Sequence, residues 1–255
     1  MPSGTEVGVL AARKIMRLVR ERPDAVLGLA TGSSPLAIYA ALAAAVREGS
    51  LDTSHVSAFA LDEYVGIPAD HPQSYAAVIR REVVEPLRLD PARVHVPDGR
   101  AEDLAAACAA YEAAIREAGG VDVQILGIGA NGHIGFNEPT SSFASRTRLK
   151  TLAPRTRADN ARFFADVDDV PTHCVTQGLG TIMAARELVL VAQGEAKAEA
   201  IAAAVEGPVA SVCPASILQF HPRAAVLVDE AAASLLTLAD YYRHTHAHKP
   251  EWQRP

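Results

Sequence analysis

Long apolar runs are missing from this 255-residue sequence. None approaches the roughly 18 consecutive apolar residues that cross a bilayer, so no membrane partner is expected. A basic excess is missing too. Lys and Arg number 24 against 30 Asp and Glu, a formal charge of -6. Nucleic-acid binders carry a basic stripe, so no nucleic-acid partner is expected either. An anionic small molecule is not excluded, because a basic pocket can sit in an acidic protein. Cysteine is sparse: Cys108, Cys174 and Cys213 are far apart, odd in number and form no CxxC pair. That suggests neither a disulfide framework nor a zinc site, but small thiols buried in a reducing compartment. The N-terminus lacks a basic start, an apolar run and a small-residue cleavage site. No signal peptide is read, and the cytoplasm is the expected location.

What is present is a 49% hydrophobic, 21% charged composition, the profile of a chain with a sizeable core. Residues 5–21 read as a helix, with Val9, Ala12, Ile15, Met16 and Val19 on one face and Pro23 as the stop. Apolar runs at 25–30, 56–61, 94–96, 121–126, 187–192 and 224–228 read as strands. Helical stretches are read at 35–47, 74–87, 101–118, 195–205 and 231–243. Strand, loop and helix in repeated alternation imply an α/β fold with a mostly parallel sheet covered on both faces. No linker or repeat interrupts the alternation, so a single domain over 1–255 is expected. Residues 140–171 fit least well. They are polar and carry Arg146, Arg148, Lys150, Arg155, Arg157 and Arg162. This segment reads as an excursion from the sheet and a lid.

Ligands of open parallel sheets bind beyond the carboxyl ends of the strands. Three such ends here carry chemically capable loops. Thr31, Gly32, Ser33, Ser34 and Pro35 lie between a strand and a helix. Hydroxyls, a glycine and a helix N-terminus suit a phosphate, although the same residues also make an ordinary helix start. Asp62 and Glu63 end the second strand. Burial would make one of them a useful base, while a capping or solvated role is the plainer alternative. The third loop, GIGANGHIGFNEP over 127–139, is rich in glycine and carries Asn131, His133 and Glu138. Histidine exchanges protons near neutral pH, and a neighbouring carboxylate can orient its ring; Asn131 can orient but not titrate. Arg162 and Lys197 are candidate phosphate clamps, or solvated helix charges. His244, His246 and His248 alternate, and i and i+2 do not share a helix face, so no metal site is expected there.

These segments together resemble the glucosamine-6-phosphate deaminase (isomerase) family. The likeness runs nearly collinearly from TGSSP through LDEYVG, HPQSY, GIGANGHIGFNEP, SSFASRTRLKTLA, ADNARFF and AVEGP to FHPRAAVLVDE. The resemblance implies a Rossmann-like three-layer sandwich with a mostly parallel central sheet. It implies conversion of glucosamine 6-phosphate to fructose 6-phosphate and ammonia in N-acetylglucosamine catabolism, with no metal or redox cofactor. It assigns Asp62 as the base that moves a proton from C2 to C1, and His133, aided by Glu138 and Asn131, to ring opening. Thr31, Gly32, Ser33, Ser34, Arg162 and Lys197 would hold the phosphate. Some relatives are hexamers activated by N-acetylglucosamine 6-phosphate. The matching positions are Ser141, Ser142, Arg148, Lys150 and Tyr241, so both a homo-oligomer and an effector site are open, beside the plainer reading that these residues structure the excursion. Relatives differ at position 131, where some have aspartate. With Asn131, only Glu138 carries charge, so His133 should lean on Glu138 more heavily. The related 6-phosphogluconolactonases have a comparable glycine–histidine loop without FNEP. A lactonase, a deglycase or a catalytically silent sugar-phosphate sensor are the alternatives; a sensor would require loss of Asp62, His133 or Glu138, and all three are present.

Overall fold

A computed structural model of the chain describes residue 1 and residues 3–250. The expected single domain over 1–255 also takes in residues 2 and 251–255, which lie outside the described residues. Ser3 caps the first helix, α1 (Gly4–Glu21), by accepting the Glu6 N–H. Val7, Ala11, Ala12, Ile15 and Val19 are its buried face, with Val9 and Met16 at the edge. Then follow β1 (Val26–Leu29), α2 (Leu36–Arg47) and β2 (Ser57–Ala60). After a single residue the chain enters β3 (Asp62–Tyr64). The helix expected over 74–87 is α3 (Tyr75–Ile79), a π-helical turn (Arg80–Val84) and α4 (Glu85–Leu87). Next come β4 (Val94–His95), α5 (Leu104–Glu117) and β5 (Val123–Leu126).

Strands β1, β2, β4 and β5 join two later ones, β8 and β9, in a six-stranded sheet of order β4-β2-β1-β5-β8-β9. There β8 is Glu187–Ala192 and β9 is Ala224–Val228. Every pairing is parallel. Val26–Leu29 and Val123–Leu126 are buried throughout, as strands covered on both faces must be. From β1 the chain builds outward on one side through β2 and β4, then returns to build the other side from β5. The order therefore reverses between β1 and β5. Parallel sheets open a crevice at such a switch point, beyond the strands' carboxyl ends. Here that crevice lies between the 31–35 and 127–139 loops.

Residues 140–171 are more regular than a polar excursion. They contain β6 (Arg148–Thr151), α6 (Pro154–Asn160) and a 3-10 turn (Ala161–Phe163). With β3 and β7 (His173–Thr176), β6 completes an antiparallel sheet of order β3-β7-β6. Periodicity hid these strands: RLKT alternates half-buried and exposed residues, and HCVT buries Cys174, Val175 and Thr176, of which only Val175 is strongly apolar. Beneath this sheet Tyr64, Ile67, Phe136, Leu152, Val170 and Cys174 form a second apolar cluster. The chain continues through α7 (Leu179–Ile182) to β8, and through α8 (Ala198–Val205) to β9.

The helix expected over 231–243 is displaced. Residues 230–235 are turns, and α9 runs over Ala239–Ala247. Carboxylates compete for the backbone there. Asp229 accepts the N–H groups of Gly194 and Ala232. Glu206, at the end of α8, accepts those of Thr237 at 2.8 Å and Leu238 at 2.9 Å. These bonds hold the turns and set the start of α9.

Candidate active site

A cleft of about 610 Å³ opens at the switch point. That is within the range of small-molecule sites. It brings the 31–34 loop, Asp62, His133, Arg162 and Lys197 together. Asn131 and Glu138 stand behind His133.

The two adjacent carboxylates have separated roles. Glu63 accepts the N–H groups of Tyr64, Tyr75 and Ala76 at 2.8, 2.9 and 2.8 Å. It thus satisfies the open amides at the start of α3 and is committed to structure. Asp62 faces the cleft and is buried. Burial, reinforced by the neighbouring Glu63 charge and opposed by the Phe136 N–H, raises its carboxyl from 3.8 to about 8. A carboxylate so desolvated is a far stronger base than one in water.

The histidine loop is a relay whose proton positions follow from chemistry. A carboxylate only accepts, so the Asn131 amide must turn its NH₂ to Glu138 Oε2, 2.7 Å away. Its carbonyl oxygen then faces His133 Nδ1 at 2.7 Å and also accepts the His133 N–H at 3.2 Å. Nδ1 must therefore carry the proton, leaving Nε2 unprotonated in the neutral ring. Nε2 has no hydrogen-bond partner among the described residues. His133 and Glu138 are 3.7 Å apart, so the carboxylate acts on the ring through Asn131 rather than by direct contact. Burial lowers the His133 pKa, Glu138 opposes this, and Lys197 adds to it. The ring is kept neutral. Gly129 makes room for it: a methyl group there would lie 2.2 Å from His133 Cε1. The other Glu138 oxygen accepts the Ala153 N–H at 3.0 Å, tying the relay to the start of α6.

The 31–34 loop, Arg162 and Lys197 line the cleft as well. Gly32 takes a left-handed φ of 90°, and no side chain caps α2. Lys197 donates to the Ile128 carbonyl at 2.7 Å, which holds its ammonium between the β5 and β8 ends. Burial lowers its pKa, with Arg162 and Arg155 pushing the same way and Asp159 opposing. Asp159, not singled out in the sequence, also lines the cleft. It lies within ADNARFF but carries no periodic or glycine signal.

The five effector-matching residues are spread over the loop after Glu138, β6 and α9. Ser141 spends its hydroxyl on the Glu138 carbonyl at 2.6 Å. Arg148 donates to Asn137 Oδ1 at 2.9 Å. Ser142 is exposed, Lys150 is half-buried on β6, and Tyr241 is exposed on α9. Asn137 went unnoticed in the sequence. It is fully buried and donates to the carbonyls of Ile134 and Gln177 at 3.0 and 2.7 Å. It clamps the histidine loop to the end of β7.

Fold and site together define a Rossmann-like α/β protein with a buried carboxyl and an imidazole in the cleft at the switch point of its sheet. The family model for glucosamine-6-phosphate isomerases/6-phosphogluconolactonase matches residues 5–228. The chain belongs to that family. It is 61% identical to the glucosamine-6-phosphate deaminase of Streptomyces coelicolor, over 99% of this chain and 97% of the relative. It is 64% identical to that of Pseudarthrobacter chlorophenolicus, over 97% and 95%. The solved structure of a monomeric glucosamine-6-phosphate deaminase superposes with a TM-score of 0.90 at 40% identity, covering 92% of this chain and 98% of that one. A 6-phosphogluconolactonase from Trypanosoma brucei, at 20% identity and a TM-score of 0.69, shares the fold; 93% of this chain and 97% of that one are covered.

Proposed function

We propose that this chain is a glucosamine-6-phosphate deaminase, converting glucosamine 6-phosphate and water to fructose 6-phosphate and ammonia. The observation that carries the reading is the pairing, in one cleft, of a buried carboxyl raised to about 8 with a neutral imidazole of fixed tautomer. The C2 proton is acidic only beside a carbonyl, so the sugar ring must open first. His133 Nε2 accepts the O1 proton, the C1–O1 double bond forms, the C1–O5 bond breaks, and the imidazolium returns that proton to O5. Asp62 then removes the C2 proton, and the electron pair moves into an enolamine. The same carboxyl returns the proton to C1, leaving an iminium at C2. Water adds there and ammonia leaves. The Thr31–Ser34 loop, Arg162 and Lys197 hold the phosphate, which fixes the reacting carbons against Asp62. The segment at 140–171 acts as a lid in this scheme, since α6 and the Ala161–Phe163 turn supply the cleft's Arg162 wall.

All the residues so assigned belong to one chain, and the mechanism needs no second copy and no cofactor. The reaction is hydrolysis of a C–N bond and belongs, in this reading, to N-acetylglucosamine catabolism in the cytoplasm. The internal engagement of Ser141 and Arg148 favours a structural role over an effector site. Hyperbolic kinetics unchanged by N-acetylglucosamine 6-phosphate are expected, and activation by it would refute that assignment. To test the main reading, the wild type and Asp62→Asn are supplied with glucosamine 6-phosphate and, separately, 6-phosphogluconolactone. A deaminase releases ammonia, and Asp62→Asn abolishes it. A lactonase, needing no C2 base, would hydrolyse the lactone in both forms.

A further inference from the structure

Asp62 sits in a row that crosses the small sheet. Its register partner on β7 is Thr176, and Thr176 is paired in turn with Arg148 on β6. The histidine loop passes over this row. There the Phe136 N–H donates to Thr176 Oγ1 at 3.1 Å. The Asp62 carboxylate is near enough to the same N–H for its charge to be favoured by it, while the hydrogen bond itself is made to Thr176. A methyl group placed on Gly135, the preceding residue, would lie 3.0 Å from Thr176 Oγ1 and 3.5 Å from Asp62 Oδ2. Both oxygens thus lie beside this turn of the loop, and Thr176 Oγ1 is the one hydrogen-bonded to the Phe136 N–H. Thr176 is fully buried, and its hydroxyl proton is directed to the Gln177 carbonyl 3.3 Å away. Its lone pairs are thus left facing Phe136.

We infer that Thr176 is a positioning residue for the reaction: its hydroxyl takes a share of the Phe136 N–H and thereby limits how much of that donor Asp62 receives. The inference rests on the reading of Asp62 as the proton-transfer base. A hydrogen bond to a carboxylate stabilises the charged form and weakens it as a base. Abstraction of a carbon-bound proton needs a strong base, so a divided donor serves the reaction better than an undivided one. The other titratable groups around Asp62 do not stabilise its charge. Glu63, on its own strand, repels it. Tyr64 beside it, Cys174 on β7, Tyr75 on α3 and Tyr111 on α5 are kept neutral by burial. The Phe136 N–H is the contact that favours the ionised carboxylate, and Thr176 controls it.

The test is a carbon-13 NMR titration of the Asp62 carboxyl, assigned by its loss in Asp62→Asn, in wild type, Thr176→Val and Thr176→Ser. Valine matches threonine in shape but gives up the acceptor. Its midpoint should fall by about one pH unit. Serine keeps the oxygen and should titrate like the wild type. In kinetics the base limb of kcat/KM should move to lower pH in Thr176→Val. Its plateau kcat should fall by about tenfold while KM changes by less than about twofold. If Thr176→Val does not fold, Thr176→Cys decides, since a thiol accepts weakly and should give a smaller shift in the same direction. An unmoved midpoint in the valine or cysteine variant overturns the inference, as does a serine variant that shifts as far as valine. The NMR titration needs no turnover. A wild type that releases no ammonia would sink the role given to Asp62, while the titration would still decide the role given to Thr176.

Discussion

Asp62→Asn should leave the protein more stable at neutral pH while abolishing deamination. The magnitude follows from proton linkage. In the unfolded chain the carboxyl titrates at 3.8, and in the folded chain at about 8. Between those values the folded state holds a proton that the unfolded state has released, so stability falls as pH rises. The contribution is fully present below 3.8 and lost as pH passes through about 8. The slope is about 1.4 kcal/mol per pH unit, so the wild type loses about 4 kcal/mol by pH 7 and about 6 kcal/mol above the folded pKa. Asparagine has nothing to titrate and keeps an acceptor for the Phe136 N–H. Urea unfolding of both forms at pH 5, 6, 7, 8 and 9 measures the difference. The variant's advantage should widen by about 4 kcal/mol between pH 5 and pH 8, then flatten. A difference that stays constant over this range would refute the reasoning, because Asp62 would then titrate alike in both states.

Its neighbour should behave in the opposite way. Glu63→Gln places an amide NH₂ against one of the N–H groups that the carboxylate now accepts, costing about 2 kcal/mol and a few degrees of Tm by scanning calorimetry, with deamination largely kept. Glu138→Gln removes the charge that orients Asn131. Deamination should fall by roughly 10²-fold, and near-normal turnover across the pH range would remove the relay from the mechanism. Lys197→Met should raise KM for glucosamine 6-phosphate by about tenfold or more with a smaller change in kcat, measured by initial rates.

The parallel sheet was legible because its strands are rich in apolar residues: AVLGLA is apolar throughout, and VDVQIL is apolar except at Asp122 and Gln124. The small antiparallel sheet was not. Its strands draw on Asp62, Glu63, Arg148, Lys150 and Thr176, polar residues whose burial depends on partners distant in sequence. The residues that line the cleft stood out through their loops, but their hydrogen-bond partners did not. That Glu63 caps a helix and Asp62 does not depends on α3 arriving beside β3. That Asn131 stands between His133 and Glu138 depends on how a glycine-rich loop folds back on itself, which spacing does not reveal. The helix at 231–243 failed because Asp229 and Glu206 bind backbone amides that an apolar pattern does not weigh.

The most direct measurement is the product balance of the purified chain on glucosamine 6-phosphate. The account predicts ammonia and fructose 6-phosphate in equal amounts, and neither from Asp62→Asn. Folded wild-type protein that binds the sugar phosphate yet releases no ammonia would contradict it.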